Sequence, residues 1–301
     1  MNNEINIALI STPNYYLKFV ASTLESIYRN RNVNRKYNMY IFSPWEISDL
    51  DKEKLNNNYD NNFSLKFITI NENEEFSQYK NLQKRHYIFY DRLIFWNYID
   101  VDKLLYMDCD IIVDWDISEL YNIDIWNNAV CAVRDSINWS VYNEKHIKKY
   151  FNAWILLINL KLRKQEKIWE KILSNIDKND SKYAFHDQDW LNYVLENKRK
   201  EISPTWNWIQ TCIFLRHTQY DKDQYYDVKH PVIYHFAWWH YRPWWKRFCV
   251  HPNRRKYFKY IFKTNYWEYE DVFLMFRRII TWNLMVRLFY KILQHCFWRY
   301  K

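Results

Sequence analysis

The 301-residue sequence contains no glycine, although average usage of about 7% would give roughly 21. This absence excludes several glycine-dependent sites: a P-loop, a GxGxxG dinucleotide turn and the GxSxG nucleophile turn. It also excludes collagen repeats and flexible Gly/Ser linkers. Because glycine is the usual residue where the backbone takes a positive φ or approaches a ligand closely, other residues must occupy such positions in this chain.

Features of secreted and membrane-spanning proteins are also missing. The five cysteines show no CxxC spacing, which argues against a disulfide framework or a zinc ribbon and favours reduced thiols. No stretch approaches the roughly 18 apolar residues of a spanning helix. The first residues lack the basic region of a signal peptide. These absences predict a cytoplasmic protein.

Short apolar runs alternate with segments of helical periodicity. The predicted strands are 5–10, 39–42, 65–70, 104–107, 129–133, 155–160 and 232–236. The predicted helices are 16–28, 90–98, 165–176 and 189–196. Continuously apolar strands separated by helices indicate an α/β protein with a mostly parallel, buried sheet. In such sheets, ligands bind at the carboxyl ends of the strands.

Basic charge is concentrated at the end of the chain. The sequence carries 44 Lys and Arg against 35 Asp and Glu, a net charge of +9, and residues 254–301 hold eleven of the basic and three of the acidic residues. Within 279–293, apolar residues recur at spacings of three and four, the spacing of one helix face.

A basic amphipathic helix with aromatic side chains is typical of peripheral binding to an anionic membrane. We therefore predict a main domain over 1–253 and a membrane-association region over 254–301. The alternative is a helix packed on its own domain. No nucleic-acid-binding motif accompanies the basic residues, so we expect no nucleic-acid partner.

Two aspartates mark the end of a predicted strand. Asp108 and Asp110 follow the apolar run 104–107 and precede more apolar residues. Carboxylates in such a position need a compensating charge, most simply a hard divalent cation. A metal held by few protein oxygens leaves positions for phosphate oxygens. The pattern therefore suggests a nucleoside-diphosphate site.

Further polar groups stand at the ends of other predicted elements. Asn152 precedes a buried strand, and Asp187 lies in a polar cluster at a helix start, where it could also act only as a cap. His235 ends a strand and offers an imidazole ligand. Arg242, in an Arg-Pro-Trp stretch, offers a cation to a phosphate.

Taken in order, these stretches resemble the family 8 glycosyltransferases, especially the bacterial lipopolysaccharide galactosyl- and glucosyltransferases. The resemblance covers roughly residues 4–250 and rests on motifs of the DxD, FNA, DQD and HxxG types. It implies a GT-A fold, a Rossmann-like sheet flanked by helices. It also implies retaining transfer of glucose or galactose from a UDP-sugar to a glycan acceptor, with Mn²⁺ as cofactor and Mg²⁺ as the alternative.

The same resemblance implies a setting in lipopolysaccharide or cell-surface glycan synthesis. Together with the basic tail, it predicts a cytoplasmic protein peripheral to the inner face of the plasma membrane, near a lipid-linked acceptor. The rival interpretation is a catalytically degenerate GT-A domain that acts as a membrane-peripheral scaffold. A haloacid-dehalogenase phosphatase also has a DxD after a strand, but it would leave the FNA and DQD stretches unexplained.

The resemblance also implies roles for individual residues. The metal ligands would be Asp108, Asp110 and His235, a set that an imidazole makes more typical of Mn²⁺ than of Mg²⁺. The nucleotide would contact the two aspartates together with Asn14, Trp238 and Arg242.

The sugar-binding residues implied by the resemblance are Arg92, Asn152, Ala153, Asp187 and Gln188. Among them, Gln188 and Asp187 are the candidate catalytic groups. Because an amide is a weak nucleophile, same-face attack and double displacement both stay open.

Tryptophan occupies several positions at which the family that this chain resembles has glycine. These positions are Trp96, Trp115, Trp126, Trp154 and Trp238. We hypothesise that the source organism reads UGA as glycine and that translation of UGA as tryptophan produced these residues. The abundance of Asn, Lys, Ile and Tyr fits an AT-rich genome. UGG codons at the five positions would refute the hypothesis.

Overall fold

The structure is a computed structural model that describes residues 3–13, 15–79, 88–135, 150–179, 186–209, 228, 230–237, 242–244, 249, 251, 253–272 and 274–275. Within these residues the chain forms one seven-stranded sheet, one three-stranded sheet and eight α-helices. No helix of this described part is long and apolar enough to cross a membrane.

The strands divide between the two sheets. They are β1 (Glu4–Ile10), β2 (Lys36–Ser43), β3 (Phe63–Thr69), β4 (Lys103–Met107), β5 (Ile111–Val113), β6 (Val130–Arg134), β7 (Phe151–Asn159), β8 (Arg199–Ile202), β9 (Trp208–Ile209) and β10 (Ile233–His235). The large sheet has the order β3-β2-β1-β4-β7-β6-β8, and the small sheet has the order β5-β10-β9. In the large sheet only β7 runs antiparallel to its neighbours. The predicted α/β class with a mostly parallel sheet is confirmed.

All seven predicted strands are present, but three others were not predicted. β5 and β9 are very short, and β8, with the sequence RKEI, is too polar to give an apolar run. The predicted strand 232–236 also belongs to the small sheet rather than to the main one. These differences matter because the small sheet positions part of the candidate site.

The observed helices agree less closely with the predicted ones. They are α1 (Leu17–Asn30), α2 (Asp49–Leu55), α3 (Glu72–Glu75), α4 (Ser118–Asn122), α5 (Leu160–Glu166), α6 (Ile168–Asn179), α7 (His186–Val194) and α8 (Arg254–Ile261). The predicted helix 90–98 is wrong, because two 3₁₀ turns occupy that segment. The predicted helix 165–176 is interrupted at Lys167, whose φ of 48° ends α5 in the left-handed region. The predicted helix 189–196 begins earlier, at His186.

Apolar side chains fill both faces of the large sheet. On β4, Leu105 and Met107 pack into the same core as α1 and α8, whereas Leu104 and Tyr106 pack into the core that contains α6. This alternation is the period-2 pattern of a strand buried on both sides. The result is a three-layer arrangement that holds the strand ends rigidly.

The start of the predicted membrane-association region packs on the main domain. Tyr257, Phe258 and Ile261 of α8 are buried in the core shared with α1. The carboxylate of Asp114, just after β5, accepts a hydrogen bond from the Tyr260 hydroxyl at 3.0 Å and pairs with Lys256. Residues 276–301 lie outside the described residues, so their role at a membrane stays a prediction.

The described backbone takes a positive φ at few positions. These are Asn58 and Lys167, with φ values of 54° and 48°. Four of the tryptophans predicted to stand for glycine lie in the described part, and none of them needs a left-handed backbone. Trp115 and Trp126 are 72% and 51% exposed, whereas Trp96 is only 1% exposed.

Trp96 tests the glycine hypothesis through stability. Its ring stacks on Trp169 with centroids 3.9 Å apart, so Trp96→Gly removes a buried indole and is expected to lower the free energy of unfolding by about 3–5 kcal/mol. The matched control Trp115→Gly, in an exposed loop, is expected to cost less than about 1 kcal/mol. Urea unfolding measures both. An unchanged stability of Trp96→Gly would show that glycine fits this position and would favour the hypothesis.

Candidate active site

Several chain segments meet at the carboxyl edge of β4. Because β7 is antiparallel to β4, its first residues lie where β4 ends, and Met107 stands opposite Ile155. The pairing continues one residue further, where the Asp108 N–H donates to the Trp154 carbonyl at 2.9 Å. β6 ends at the same edge, with Arg134 opposite Phe151. Residues 108, 135 and 151–154 are therefore neighbours.

The small sheet brings His235 to this edge. β10 pairs antiparallel with β5, which places His235 opposite Ile111. The Phe236 N–H extends the pairing by donating to the Asp110 carbonyl at 3.0 Å. As a result, His235 Nε2 lies 3.0 Å from Asp110 Oδ1 although the two residues are 125 positions apart.

Three predicted metal ligands form a cluster. One ligand atom from each of Asp108, Asp110 and His235 lies within 4.8 Å of the others. Two carboxylates and an imidazole are a donor set that suits Mn²⁺. Asp108 also accepts a hydrogen bond from the Tyr106 hydroxyl at 2.6 Å, which orients its carboxylate. The residues present therefore fit a divalent cation.

Buried hydroxyls of α1 hold the segment that carries the two aspartates. Thr23 Oγ1 lies 2.8 Å from the Cys109 carbonyl and 2.9 Å from the Ile111 carbonyl. One turn further along α1, Ser26 Oγ accepts from the Val113 N–H at 3.0 Å. Because unpaired buried backbone groups are costly, these contacts fix the path of the chain between the two sheets.

The two aspartates differ in their electrostatic environment. Burial raises the pKa of Asp108, and the nearby Asp110 carboxylate adds to this effect while Arg92 opposes it. Burial alone would also raise the pKa of Asp110, but His235 and Arg242 outweigh it and lower that pKa. Arg242 Nη2 lies 3.6 Å from Asp110 Oδ2. The structure thus places Arg242 beside the cluster, and its contact with a diphosphate stays a prediction.

A buried ion pair lies beside the cluster of Asp108, Asp110 and His235. Arg92 Nε lies 2.5 Å from Asp187 Oδ2, and Arg92 Nη1 donates to the Ala153 carbonyl at 3.0 Å. Burial raises the pKa of Asp187 to about 6, although Arg92 partly offsets the effect. Both side chains are less than 10% exposed, so the pair is well shielded from solvent.

Gln188 lies next to this pair on the first turn of α7. Its Oε1 accepts from the Ala153 N–H at 2.9 Å, and its Nε2 donates to Asp135 Oδ2 at 3.0 Å. Asn152 Nδ2 donates to the same Asp135 oxygen at 3.2 Å. All five predicted sugar-binding residues therefore come together: Arg92, Asn152, Ala153, Asp187 and Gln188.

Two predicted nucleotide contacts, Asn14 and Trp238, lie outside the described residues. The structure adds three residues that the sequence did not single out: Tyr106, Asp135 and Asn207. A signal existed for Asp135, since it is a carboxylate two positions after the predicted strand 129–133. No comparable signal marked Asn207, which lies between two tryptophans.

Comparison with known families decides the identity of this site. The profile described as glycosyl transferase family 8 matches residues 6–247, a range that contains the metal cluster, the ion pair and Gln188. The chain belongs to glycosyltransferase family 8. It is therefore a glycosyltransferase, and the family predicted from the motifs is confirmed.

Two relatives of this family 8 chain are named as glycosyltransferases. A Haemophilus influenzae protein named as a glycosyltransferase is 31% identical over 258 residues, which are 81% of this chain and 74% of that protein. The lipopolysaccharide 1,2-glucosyltransferase of Escherichia coli K12 is 27% identical over 183 residues, which are 56% of this chain and 52% of that enzyme. The chain thus spans only about half of the second relative.

Solved structures agree on the fold. The galactosyltransferase LgtC, in complex with donor and acceptor sugar analogues, superposes with a TM-score of 0.72. The match covers 88% of this chain and 98% of LgtC at 19% identity. The GT-A fold predicted from the resemblance is confirmed.

The raised pKa of Asp187 predicts a pH dependence. As the pH falls through about 6, Asp187 takes up a proton and loses the charge that pairs with Arg92. We therefore expect kcat for sugar transfer to decrease on the acid side of this pH. The profile should be measured at a saturating concentration of divalent cation at each pH, so that protonation of the candidate metal ligands does not affect the measured rate. A rate that stays constant well below pH 6 would contradict this prediction.

Proposed function

We propose that this family 8 enzyme is a retaining, Mn²⁺-dependent hexosyltransferase that uses UDP-glucose or UDP-galactose. The observation that carries the proposal is the cluster of Asp108, Asp110 and His235 beside the ion pair of Arg92 and Asp187. The cluster is suited to the diphosphate end of a donor. The adjacent amides and the ion pair are suited to its sugar hydroxyls.

The three ligands of the cluster would hold the cation. When bound, Mn²⁺ supplies Lewis-acid stabilisation of the negative charge on the departing diphosphate. Arg242, 3.6 Å from Asp110 and one-third exposed, is positioned to add a second positive charge for the phosphates. Tyr106 keeps one Asp108 oxygen oriented through its hydrogen bond, so the cluster is organised before a ligand arrives.

On the sugar side, Arg92 and Asp187 offer fixed donors and acceptors. Charged hydrogen-bonding groups in a shielded site discriminate strongly between hydroxyl arrangements, because a mismatched partner leaves them unpaired. Gln188 is held by Ala153 and Asp135 and orients this end of the site. We propose that Asp187 and Gln188 lie closest to the reacting carbon.

The decisive test is release of UDP from each of the two UDP-sugars, with and without Mn²⁺. Asp110→Asn removes a metal ligand and should lower turnover more than about 100-fold, since changes to the outer partners of metal ligands already cost about 10–100-fold. Asp100→Asn is the matched control, because that side chain is 98% exposed and pairs only with Lys164 among the described contacts. We expect the control to keep full activity.

The same assay distinguishes an active transferase from the rival interpretation, a catalytically degenerate domain. Turnover that requires a glycan acceptor supports transfer, and turnover in its absence shows hydrolysis alone. If neither UDP-sugar is consumed with any acceptor, the hexosyltransferase proposal is wrong and the scaffold interpretation is favoured.

We also propose that the enzyme acts in lipopolysaccharide or cell-surface glycan synthesis, peripheral to the inner face of the plasma membrane. The name of the Escherichia coli relative supports the first part. The charge of residues 276–301 supports the second, because this segment has six Lys and Arg, seven aromatic residues and no Asp or Glu. Such a composition favours the interface of an anionic membrane.

The membrane proposal is tested by deleting 276–301 rather than all of 254–301. The shorter deletion keeps the core residues Tyr257 and Ile261, which deletion of 254–301 would remove. We expect the full chain to sediment with vesicles that contain anionic lipid, and the truncated chain to stay in solution. Neutral phosphatidylcholine vesicles serve as the control. Equal sedimentation of both chains would refute the membrane role.

A further inference from the structure

Asn207 connects His235, a candidate metal ligand, to Asn152, a predicted sugar-binding residue. It lies directly before β9 and is fully buried. Its side chain has two neighbours, His235 Nδ1 at 3.0 Å and Asn152 Oδ1 at 2.8 Å. The parallel pairing of β9 with β10, in which Trp208 stands opposite Tyr234, brings it there.

The direction of these hydrogen bonds follows from one backbone group. The Trp154 N–H can only donate, and it lies 3.0 Å from an amide atom of Asn152, which must therefore be the oxygen. The Asn207 atom that faces this oxygen must donate, so it is Nδ2. The oxygen of Asn207 then faces His235 Nδ1, which must carry a hydrogen.

This arrangement determines which nitrogen of His235 is available to a metal. With the hydrogen on Nδ1, the lone pair of the neutral imidazole is on Nε2, the atom 3.0 Å from Asp110 Oδ1. Metal-bound histidines commonly donate their other N–H to such a partner, which fixes the ring orientation.

We propose that Asn207 is a positioning residue that holds His235 in the Nδ1–H tautomer, with Nε2 directed toward the metal position. The proposal rests on the metal site of the proposed function.

The same hydrogen-bond chain continues to the residue predicted to lie near the reacting carbon. Asn152 donates to Asp135 Oδ2, and Gln188 donates to the same oxygen. The amide oxygen of Gln188 accepts a hydrogen bond from the Ala153 N–H, which fixes the orientation of the side chain. Asn207 therefore positions Asn152 and, through Asp135, Gln188. A change at Asn207 should affect both metal binding and donor binding, although Asn207 itself contacts neither.

Metal affinity provides the first test. Free Mn²⁺ is measured by its electron paramagnetic resonance signal during titration, with and without UDP. Asn207→Leu removes the acceptor for His235 Nδ1 and should weaken Mn²⁺ binding by about 10–100-fold. Asn207→Asp keeps an acceptor and should bind Mn²⁺ nearly as well as the starting protein. Asn38→Leu is the matched control, since Asn38 is a buried amide in β2 that hydrogen-bonds Asn6, and it should leave the affinity unchanged.

The tautomer provides the second test, independent of metal. Long-range ¹H–¹⁵N correlation spectra of the metal-free protein should show a preference for a hydrogen on His235 Nδ1. Asn207→Leu should lose this preference, and Asn207→Asp should keep it. If Asn207→Leu does not fold, Asn152→Leu replaces it, because loss of the Asn152 oxygen lets the Asn207 amide turn over and should also abolish the preference.

An Nε2–H tautomer in the starting protein would overturn the proposal, as would Mn²⁺ affinity in Asn207→Leu equal to that of the starting protein. If the starting protein binds no Mn²⁺ at all, the metal assignment is wrong, whereas the spectra still decide the role of Asn207.

Discussion

The candidate site depends on two neighbouring, half-buried carboxylates where the chain passes from one sheet to the other. Asp108 ends the last pairing of β4 in the large sheet, and Asp110 begins the pairing of β5 in the small one. Like charges at this separation repel each other, and burial adds to the cost. Basic side chains offset this cost: Arg92 lies near Asp108, and His235 and Arg242 lie near Asp110. A divalent cation would complete the balance.

The supports of this site come from elements with rigid packing. The hydroxyls of Thr23 and Ser26 on α1 bind backbone groups on both sides of Asp110, and α8 packs against the outer face of α1. Within the site, the groups that would touch a donor are held by backbone atoms of β7, which is fixed between β4 and β6. A ligand therefore meets groups that are already oriented, which lowers the entropy lost on binding.

The sequence allowed prediction of the groups that stand directly after apolar strands, because a strand end fixes where a residue lies in a parallel sheet. Asp108 and Asp110, which follow the predicted strand 104–107, belong to this class, whereas His235 is the last residue of a strand in the small sheet. The helix 90–98 was mispredicted, since 3₁₀ turns can carry the same apolar residues. Asn207 could not be predicted, because its neighbours are set by pairing between β9 and β10, and a two-residue strand leaves no periodic pattern. The sequence analysis named Arg92 and Asp187 in two separate motifs, but it did not predict that they form an ion pair.

The contact between the two ends of the described chain has a consequence for where the second end lies. Lys18, on the first turn of α1, pairs with Glu268 at 3.0 Å and with Asp271 at 2.7 Å. Because α1 follows the carboxyl end of β1, this contact lies near the same edge of the sheet as the candidate metal ligands. The described part of the chain is therefore held, over 268–271, near the edge of the sheet that carries the candidate site.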